Sequence, residues 1–154
     1  MIEHDKLCVA YAADDRYAKY LGISMLSLFR TNAHFETIEV FVLDCGITEA
    51  NKEKLRLIAA EHNRRICFIP MEKAISGLDL NMGARKISVA SYARFFLATA
   101  IPESHHKILY LDCDTIVCDS VSDFWNTQLD GALIAGVRDT VDRLFMEKIH
   151  LDPQ

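Results

Sequence analysis

The sequence lacks the features that would link it to a membrane or to nucleic acid. It contains no apolar run of about 18 residues, so it predicts no membrane-spanning helix. Its first five residues, 1–5, lack the basic-then-apolar pattern of a signal peptide. The 17 Lys and Arg are outnumbered by 22 Asp and Glu, and the resulting net charge of −5 argues against an anionic partner surface. We therefore expect no nucleic-acid partner and at most peripheral membrane contact.

Paired metal-binding or redox cysteines are also missing. The five cysteines are odd in number, and no Cys-x-x-Cys occurs among them. Free, buried thiols in a reducing cytoplasm are the interpretation that this pattern favours. The residues concerned are Cys8, Cys45, Cys67, Cys113 and Cys118.

Apolar runs of strand length alternate with segments of helical periodicity along most of the chain. A length of 154 residues fits one domain with a real core. The predicted strands are 7–13, 38–43, 66–69, 108–111 and 132–137. The predicted helices are 17–31, 48–62, a segment from Ser88 to Pro102 with Tyr92, Phe95, Phe96 and Thr99 inward, a turn at 120–125, and 141–150. This alternation predicts an α/β fold with a mostly parallel sheet flanked by helices on both faces.

Acidic residues follow four of these predicted strands. Because the carboxyl ends of parallel strands share one edge, and ligands of open α/β sheets bind there, these carboxylates should gather at one site. An acid after a strand can instead shape the turn into the next helix, and this second interpretation is the one we favour for Asp44. The acids are Asp14, Asp44, Asp112 with Asp114, and Asp139.

The Asp-x-Asp at 112–114 is the best candidate for a metal site. Side chains alternate along an extended strand, so Asp112 and Asp114 should point the same way, roughly 6.5 Å apart along the strand. Carboxylate oxygens suit Mg²⁺ or Mn²⁺ better than Zn²⁺. Two acids within three residues are also common in ordinary surface turns. The buried strand that precedes them favours a site.

Four motifs in this order resemble glycosyltransferase family 8, and in particular the bacterial lipopolysaccharide galactosyl- and glucosyltransferases. The similarity covers about 7–139. The motifs are Tyr11-Ala12-Ala13-Asp14-Asp15-Arg16-Tyr17, then Phe41-Val42-Leu43-Asp44 with Gly46-Ile47, then Ile87-Ser88-Val89-Ala90-Ser91-Tyr92-Ala93-Arg94, and Leu109-Tyr110-Leu111-Asp112-Cys113-Asp114 with Trp125. The resemblance implies a GT-A fold and a retaining, Mn²⁺-dependent hexosyl transfer from UDP-galactose or UDP-glucose to a saccharide or lipooligosaccharide acceptor. Mg²⁺ is the alternative metal.

The resemblance also assigns roles to residues of this chain. The uridine would be held by Ala12, Asp14 and Tyr17, whose ring would stack on uracil, and Cys113 would offer only its backbone. The metal ligands would be Asp112 and Asp114. The residues beside the donor sugar, diphosphate and acceptor would be Arg94 and Asp139, which we name as the catalytic candidates. Arg94 and Lys86, a basic residue beside the site, would contribute to donor binding.

Several of these residues have an ordinary structural explanation as well. The Tyr17 ring could cover the core at a helix start, Arg94 could be a solvated helix residue, and Lys86 an ordinary surface lysine. Arg16 departs from the family, whose members often carry asparagine there.

The chain also lacks the Asn-x-Gly segment, second acidic site and late histidine of the family. We therefore expect a single donor-nucleotide-binding domain, 1–154, truncated before the acceptor-binding part. An apolar sheet edge left there would favour a homo-oligomer.

Three hypotheses about function stay open at this point. The first is the family 8 transferase, or its donor half, in lipopolysaccharide or cell-surface glycan synthesis. The second is a non-catalytic nucleotide-sugar-binding fragment. The third is a haloacid-dehalogenase-type phosphatase, which also places Asp-x-Asp after a strand.

Overall fold

A parallel sheet of four strands forms the centre of the molecule. The structure is a computed structural model, and it describes residues 6–76 and 90–137. The strands pair in the order β3-β2-β1-β4, and every pair is parallel. They are β1 (Lys6–Ala13), β2 (Thr37–Asp44), β3 (Arg65–Pro70) and β4 (Leu109–Tyr110).

Within the described ranges, six short or medium helices accompany these strands. They are α1 (Ala18–Thr31), α2 (Glu49–Glu61), α3 (Glu72–Ser76), α4 (Ala90–Ala93), α5 (Leu97–Ala100) and α6 (Ser122–Trp125), with a 3₁₀ turn at Arg94–Phe96 between α4 and α5. No helix within residues 6–76 and 90–137 is both long and apolar enough to cross a membrane.

The central strands are buried because both of their faces are covered. In β1 every residue from Leu7 to Ala13 is buried, which explains its continuous apolar sequence. Neighbouring side chains on this strand point to opposite faces: Tyr11 hydrogen-bonds Ser24 of α1, whereas Ala12 packs in a cluster with Ala93 of α4. Helices therefore lie on both faces of the sheet, as the sequence predicts.

The predictions for the first half of the chain are confirmed within a residue or two. Strands β1 to β3 and helices α1 and α2 fall where periodicity placed them. Thr48 occupies the N-cap position of α2, but its hydroxyl donates to Asp15 at 2.7 Å instead of capping the helix. This bond ties the start of α2 to the loop after β1.

The predicted strand at 132–137 is wrong. The segment is irregular and exposed, with 95% of Leu133 and 86% of Ile134 accessible to solvent. It follows a turn in which Asp130 and Gly131 both have left-handed backbones. An apolar run forms a strand only where another strand offers pairing, and nothing in the sequence of the run itself reports whether such a partner is present.

The predicted inner face of the helix after residue 88 is right at Phe96, which packs against the buried cluster around Ala93, but wrong at Phe95. Phe95 is 76% exposed, whereas Ala90 and Ala93 are buried. The 3₁₀ turn breaks the segment into short pieces and shifts the angular positions of its side chains, so a 3.6-residue period no longer identifies one face. Ser88, the predicted cap, and the predicted helix at 141–150 lie outside the described residues.

The cysteines are free, as predicted, but they are not all buried. Cys8 and Cys113 are buried and Cys45 is half-buried, whereas Cys67 and Cys118 are exposed. Cys67 lies on β3, whose outer side has no partner strand among the described residues. Arg65, on the same face of β3, is exposed as well, whereas Ile66 and Phe68 on the other face are half-buried, so Cys67 lies on the less covered face of this edge strand.

Candidate functional site at the carboxyl edge of the sheet

The Asp-x-Asp lies in a turn after β4 and not on the strand itself. Strand β4 ends at Tyr110, and the Thr115 amide donates to the Asp112 carbonyl at 3.2 Å, which closes the turn. The expected extended geometry is therefore wrong. The alternation nevertheless persists, because Asp112 and Asp114 are exposed and Cys113 between them is buried. We call residues 112–115 the acidic turn.

The acidic turn lies beside the end of β1. Parallel pairing sets Ala10 against Tyr110, and the Leu111 amide donates to the Ala10 carbonyl at 3.0 Å. Two residues further on, the Cys113 thiol donates to the Ala12 carbonyl at 3.1 Å. The turn is thus fastened to β1 next to the point where Asp14 begins the following loop.

The carboxylates of this edge converge around the Cys113 thiol. Burial raises its pKa to about 12, and the negative charges of Asp112, Asp114 and Asp14 add to the increase. The thiol is buried and turned to the Ala12 carbonyl, away from the exposed carboxylates on either side of it. The exposed carboxylates are the oxygen donors that remain.

Arg94 reaches the acidic turn from the face of the sheet that carries α4, opposite to the face that carries α1. Its Nη2 lies 3.4 Å from Asp112 Oδ1, and its guanidinium carbon lies 5.2 Å from the centre of the Tyr110 ring. Its Nε donates to the Ser91 carbonyl at 3.0 Å, which orients the guanidinium group. Burial raises the pKa of Tyr110; Arg94 opposes this increase and Asp112 adds to it. Arg94 is therefore not simply a solvated helix residue.

The predicted uridine contacts lie at the end of β1. Tyr17 is 41% exposed and its ring is 5.7 Å from that of Tyr20, so it does not cover the core. Its amide donates to Asp14 Oδ1 at 3.1 Å. Ala12 is buried and its carbonyl accepts the Cys113 thiol. An aromatic ring left open beside this edge has the form of a stacking surface for a base.

Asp44 shapes its own turn, as the sequence favoured. It is 6% exposed, and its Oδ1 accepts the amides of Gly46 at 3.0 Å and Ile47 at 2.7 Å. Its Oδ2 pairs with Lys52 Nζ at 2.6 Å. These local contacts occupy both oxygens, so Asp44 is not part of the candidate site.

Two predicted site residues, Lys86 and Asp139, lie outside the described residues. Their roles therefore stay predictions. Sequence reasoning also overlooked Tyr110, which lies against Arg94, and Thr115, whose hydroxyl donates to the Asp112 carbonyl at 2.7 Å. Tyr110 lies two residues before the Asp-x-Asp motif and Thr115 directly follows it. This closeness in sequence could have identified both as candidates.

The donor set fits a hard divalent cation. The candidate ligands are carboxylate oxygens, and the only thiol between them is turned away. Within residues 6–76 and 90–137, no three His, Cys, Asp or Glu side chains form a complete metal centre. Two carboxylates with open positions suit Mg²⁺ or Mn²⁺, which take additional oxygens from water and from a bound phosphate.

The fold and the sequence both match proteins that transfer sugars. A crystal structure of an active-site mutant of LgtC aligns with a TM-score of 0.69 and 36% identity, over 80% of this chain and 43% of LgtC. A second LgtC structure, a galactosyltransferase in complex with donor and acceptor sugar analogues, aligns with a TM-score of 0.61 and 37% identity, over 80% and 43%. The fold is therefore of the GT-A type.

The family model "Glycosyl transferase family 8" matches residues 8–152, and the chain belongs to this family. An Arabidopsis thaliana protein named "Probable galacturonosyltransferase-like 4" is 40% identical over 142 residues, 86% of this chain and 38% of that protein. "Lipopolysaccharide 1,2-glucosyltransferase" of Escherichia coli strain K12 is 25% identical over 133 residues, 86% and 38%. The chain thus spans less than half the length of these relatives. The family match favours a transferase over the phosphatase hypothesis.

Proposed function

We propose that this chain is the donor-binding part of a retaining hexosyltransferase that uses a UDP-sugar, with Mn²⁺ as the preferred metal. The observation that carries the proposal is the acidic turn, where Asp112 and Asp114 are exposed on either side of a buried cysteine at the carboxyl edge of a GT-A sheet. Sequence similarity to a galactosyltransferase and to a lipopolysaccharide glucosyltransferase supports a galactose or glucose donor. A non-catalytic fragment that binds only the nucleotide sugar is the alternative for a chain of this length.

In this proposal, different residues of the carboxyl edge bind different parts of the donor. Tyr17 stacks on uracil, and Asp14 and the backbone near Ala12 and Cys113 complete the uridine pocket. The carboxylates of Asp112 and Asp114 would hold the metal, and a divalent cation bound there would supply Lewis-acid stabilisation of negative charge on the diphosphate.

Arg94 is placed to bind the diphosphate or the sugar. Its guanidinium group is oriented by the Ser91 carbonyl and the Tyr110 ring, so it loses little conformational freedom on binding. In the transfer, the bond from the anomeric carbon to the diphosphate oxygen breaks, the acceptor oxygen binds that carbon with retained configuration, and the acceptor proton is released. Asp139 and Lys86 complete the proposed site beside the sugar.

The proposed setting is the synthesis of lipopolysaccharide or another cell-surface glycan. It includes a cytoplasmic location, which five free cysteines support, and a saccharide or lipooligosaccharide acceptor. Contact with a membrane would be peripheral at most, and a homo-oligomer is part of the same proposal.

Calorimetric titration of UDP with and without Mn²⁺ tests the donor site. Wild-type protein should bind UDP much more tightly with Mn²⁺, and the double variant Asp112→Asn/Asp114→Asn should lose this metal dependence. The matched control is Asp123→Asn/Asp130→Asn, which removes the same two charges from exposed acids elsewhere and should bind as wild type. Metal-dependent binding that survives in the first double variant would reject the site.

A further inference from the structure

Helix α1 and its C-cap residue Asn32 carry polar side chains that contact the segment following β4. Ser27 Oγ accepts the Val117 amide at 2.9 Å, and Asn32 Oδ1 accepts the Val121 amide at 2.8 Å. Nearest the acidic turn, Ser24 Oγ lies 3.2 Å from Thr115 Oγ1. Helix α1 thus holds this segment at three points, although the two are about 90 residues apart in sequence.

The contact nearest the turn belongs to a chain of three hydroxyl groups. Tyr11 Oη lies 3.1 Å from Ser24 Oγ, which lies 3.2 Å from Thr115 Oγ1, which in turn lies 2.7 Å from the Asp112 carbonyl oxygen. Counting hydrogens fixes the direction of every bond. A carbonyl only accepts, so Thr115 spends its single hydroxyl hydrogen on Asp112, and Ser24 must donate to Thr115. Ser24 then has no hydrogen left for Tyr11, so Tyr11 donates to Ser24.

This chain begins in the interior of the protein. Tyr11 and Ser24 are both 0% exposed, so neither hydroxyl has water as an alternative partner. Burial also raises the pKa of Tyr11, which keeps the phenol protonated and able to donate. Hydrogen bonds aligned in one direction polarise one another, and the chain is strongest when all three members are present.

The acidic turn is therefore held from two sides by consecutive residues. The Asp112 carbonyl accepts the end of the hydroxyl chain, and the Cys113 thiol is bonded to the Ala12 carbonyl. These contacts use only the backbone of Asp112 and the side chain of Cys113. They fix the turn while the Asp112 and Asp114 side chains stay exposed.

We infer that Tyr11, Ser24 and Thr115 are positioning residues that hold the acidic turn in the conformation required for metal binding. This inference rests on the proposed function, because it takes Asp112 and Asp114 as the metal ligands. Groups that orient metal ligands without binding the metal themselves typically contribute about 10- to 100-fold to metal affinity. The hydroxyl of Tyr11 contacts Ser24, that of Ser24 contacts Thr115, and that of Thr115 contacts the Asp112 carbonyl, so each residue acts through the next.

The test compares Thr115→Val, Ser24→Ala and Tyr11→Phe for Mn²⁺ affinity, measured by electron paramagnetic resonance of free Mn²⁺ at saturating UDP. Affinity should fall most, by about tenfold, in Thr115→Val, and progressively less in Ser24→Ala and Tyr11→Phe. Thr115→Ser keeps the hydroxyl and should restore affinity. Thr127→Val removes a hydroxyl bonded to the Asp123 carbonyl outside the site and should bind as wild type.

Urea denaturation should rank the variants differently. Ser24→Ala should lower the midpoint most, because it leaves the buried Tyr11 hydroxyl without an acceptor. Thr115→Val, nearer the surface, should lower it less. A merely structural role would give the same ranking for affinity as for stability, and that result would overturn the inference.

Amide hydrogen exchange without ligand separates this inference from the proposed function. In Thr115→Val, exchange at the residue 115 amide should accelerate by about tenfold, whereas the Val117 amide, held by Ser27, should be unchanged. Unchanged exchange at residue 115 would overturn the positioning role. If the wild-type protein binds no UDP but exchange at residue 115 is still faster in Thr115→Val, the proposed function would be rejected. The role of the three hydroxyl groups in fixing the acidic turn would then still be supported.

Discussion

The turns after β2 and β4 both begin with an aspartate at the carboxyl edge of the sheet, but they use the carboxylate differently. Asp44 is buried, and its oxygens are occupied by two amides and Lys52. In the acidic turn the backbone carbonyl of Asp112 and the thiol of Cys113 make the local contacts. The Asp112 and Asp114 carboxylates are thereby left exposed. An acid after a strand becomes a candidate ligand when the turn is stabilised by other groups.

The basic partners of the two turns differ in the same way. The Lys52–Asp44 pair has side chains only 19% and 6% exposed, whereas the Arg94–Asp112 pair is 41% and 52% exposed. A partly buried pair contributes to folding, and an exposed pair contributes about 0–1 kcal/mol at most. Arg94 is therefore free to exchange Asp112 for a ligand at little cost in stability.

Aspartate-to-asparagine substitutions at the two turns should differ most in their effect on UDP affinity. The double variant Asp112→Asn/Asp114→Asn should weaken Mn²⁺-dependent UDP binding by about 100-fold or more, because amides are poor replacements for charged ligands. Asp44→Asn should leave UDP affinity unchanged. Calorimetry on both variants measures this contrast, and equal losses would remove the distinction between the turns.

Stability should show the opposite contrast. Asp44→Ala removes the acceptor of two backbone amides and leaves Lys52 without its carboxylate partner. It should therefore destabilise the fold by about 2–4 kcal/mol. Asp112→Ala should cost under about 1 kcal/mol, since the hydrogen bonds to its backbone carbonyl remain. Urea denaturation monitored by circular dichroism gives both values.

Asp44→Asn serves as the control for the Asp44 turn. It keeps an oxygen for the Gly46 and Ile47 amides and should fall between wild type and Asp44→Ala. If Asp44→Ala were as stable as wild type, the role assigned to Asp44 would be wrong.

Local periodicity was sufficient where each element packs with its sequence neighbours. The run from β1 to β3 could be predicted because buried strands and amphipathic helices alternate regularly. The turn-shaping role of Asp44 was favoured for the same local reason. After residue 90 the elements are short, and a 3₁₀ turn shifts the phase of the side chains, so Phe95 was wrongly placed inside.

Long-range contacts could not be predicted from local patterns. Arg94 reaches Asp112, and Ser24 reaches Thr115 across 91 positions of sequence. The parallel pairing of β4 with β1 places the acidic turn within reach of both Arg94 and Ser24. The family resemblance pointed to Arg94 because related sequences record the outcome of folding. It assigned no role to Tyr11, although the first motif begins there, and its motifs do not include Ser24; the hydroxyl groups of both lie inside the protein.

Substitutions of the two basic partners, Arg94 and Lys52, should have smaller effects that also distinguish the two turns. Arg94→Ala should leave the thermal midpoint nearly unchanged and weaken UDP-sugar binding by about tenfold. Lys52→Met should lower the midpoint and leave binding unchanged, because it keeps an apolar stem against Phe68 but leaves Asp44 unpaired. Thermal melts with calorimetry measure both. Arg94→Lys, which keeps the charge without the planar fork, should recover only part of the affinity.

The smallest expected effect concerns acid stability at the loop after β1, between the two turns. The amide and hydroxyl of Thr48, with the side-chain amide of Asn51, hold the pKa of Asp15 below its usual value of 3.8. A lowered pKa in the folded state means that Asp15 stabilises the fold above about pH 4 and that this contribution is lost as the pH falls through the folded pKa. Asp15→Asn keeps the accepting oxygen but removes the charge. Its urea midpoint should be below that of wild type at pH 7, and the gap should close as the pH falls through the folded pKa of Asp15. Thr48→Val removes one of the three donors and should narrow the gap, whereas a gap that persists in acid would show that Asp15 acts through shape and not through charge.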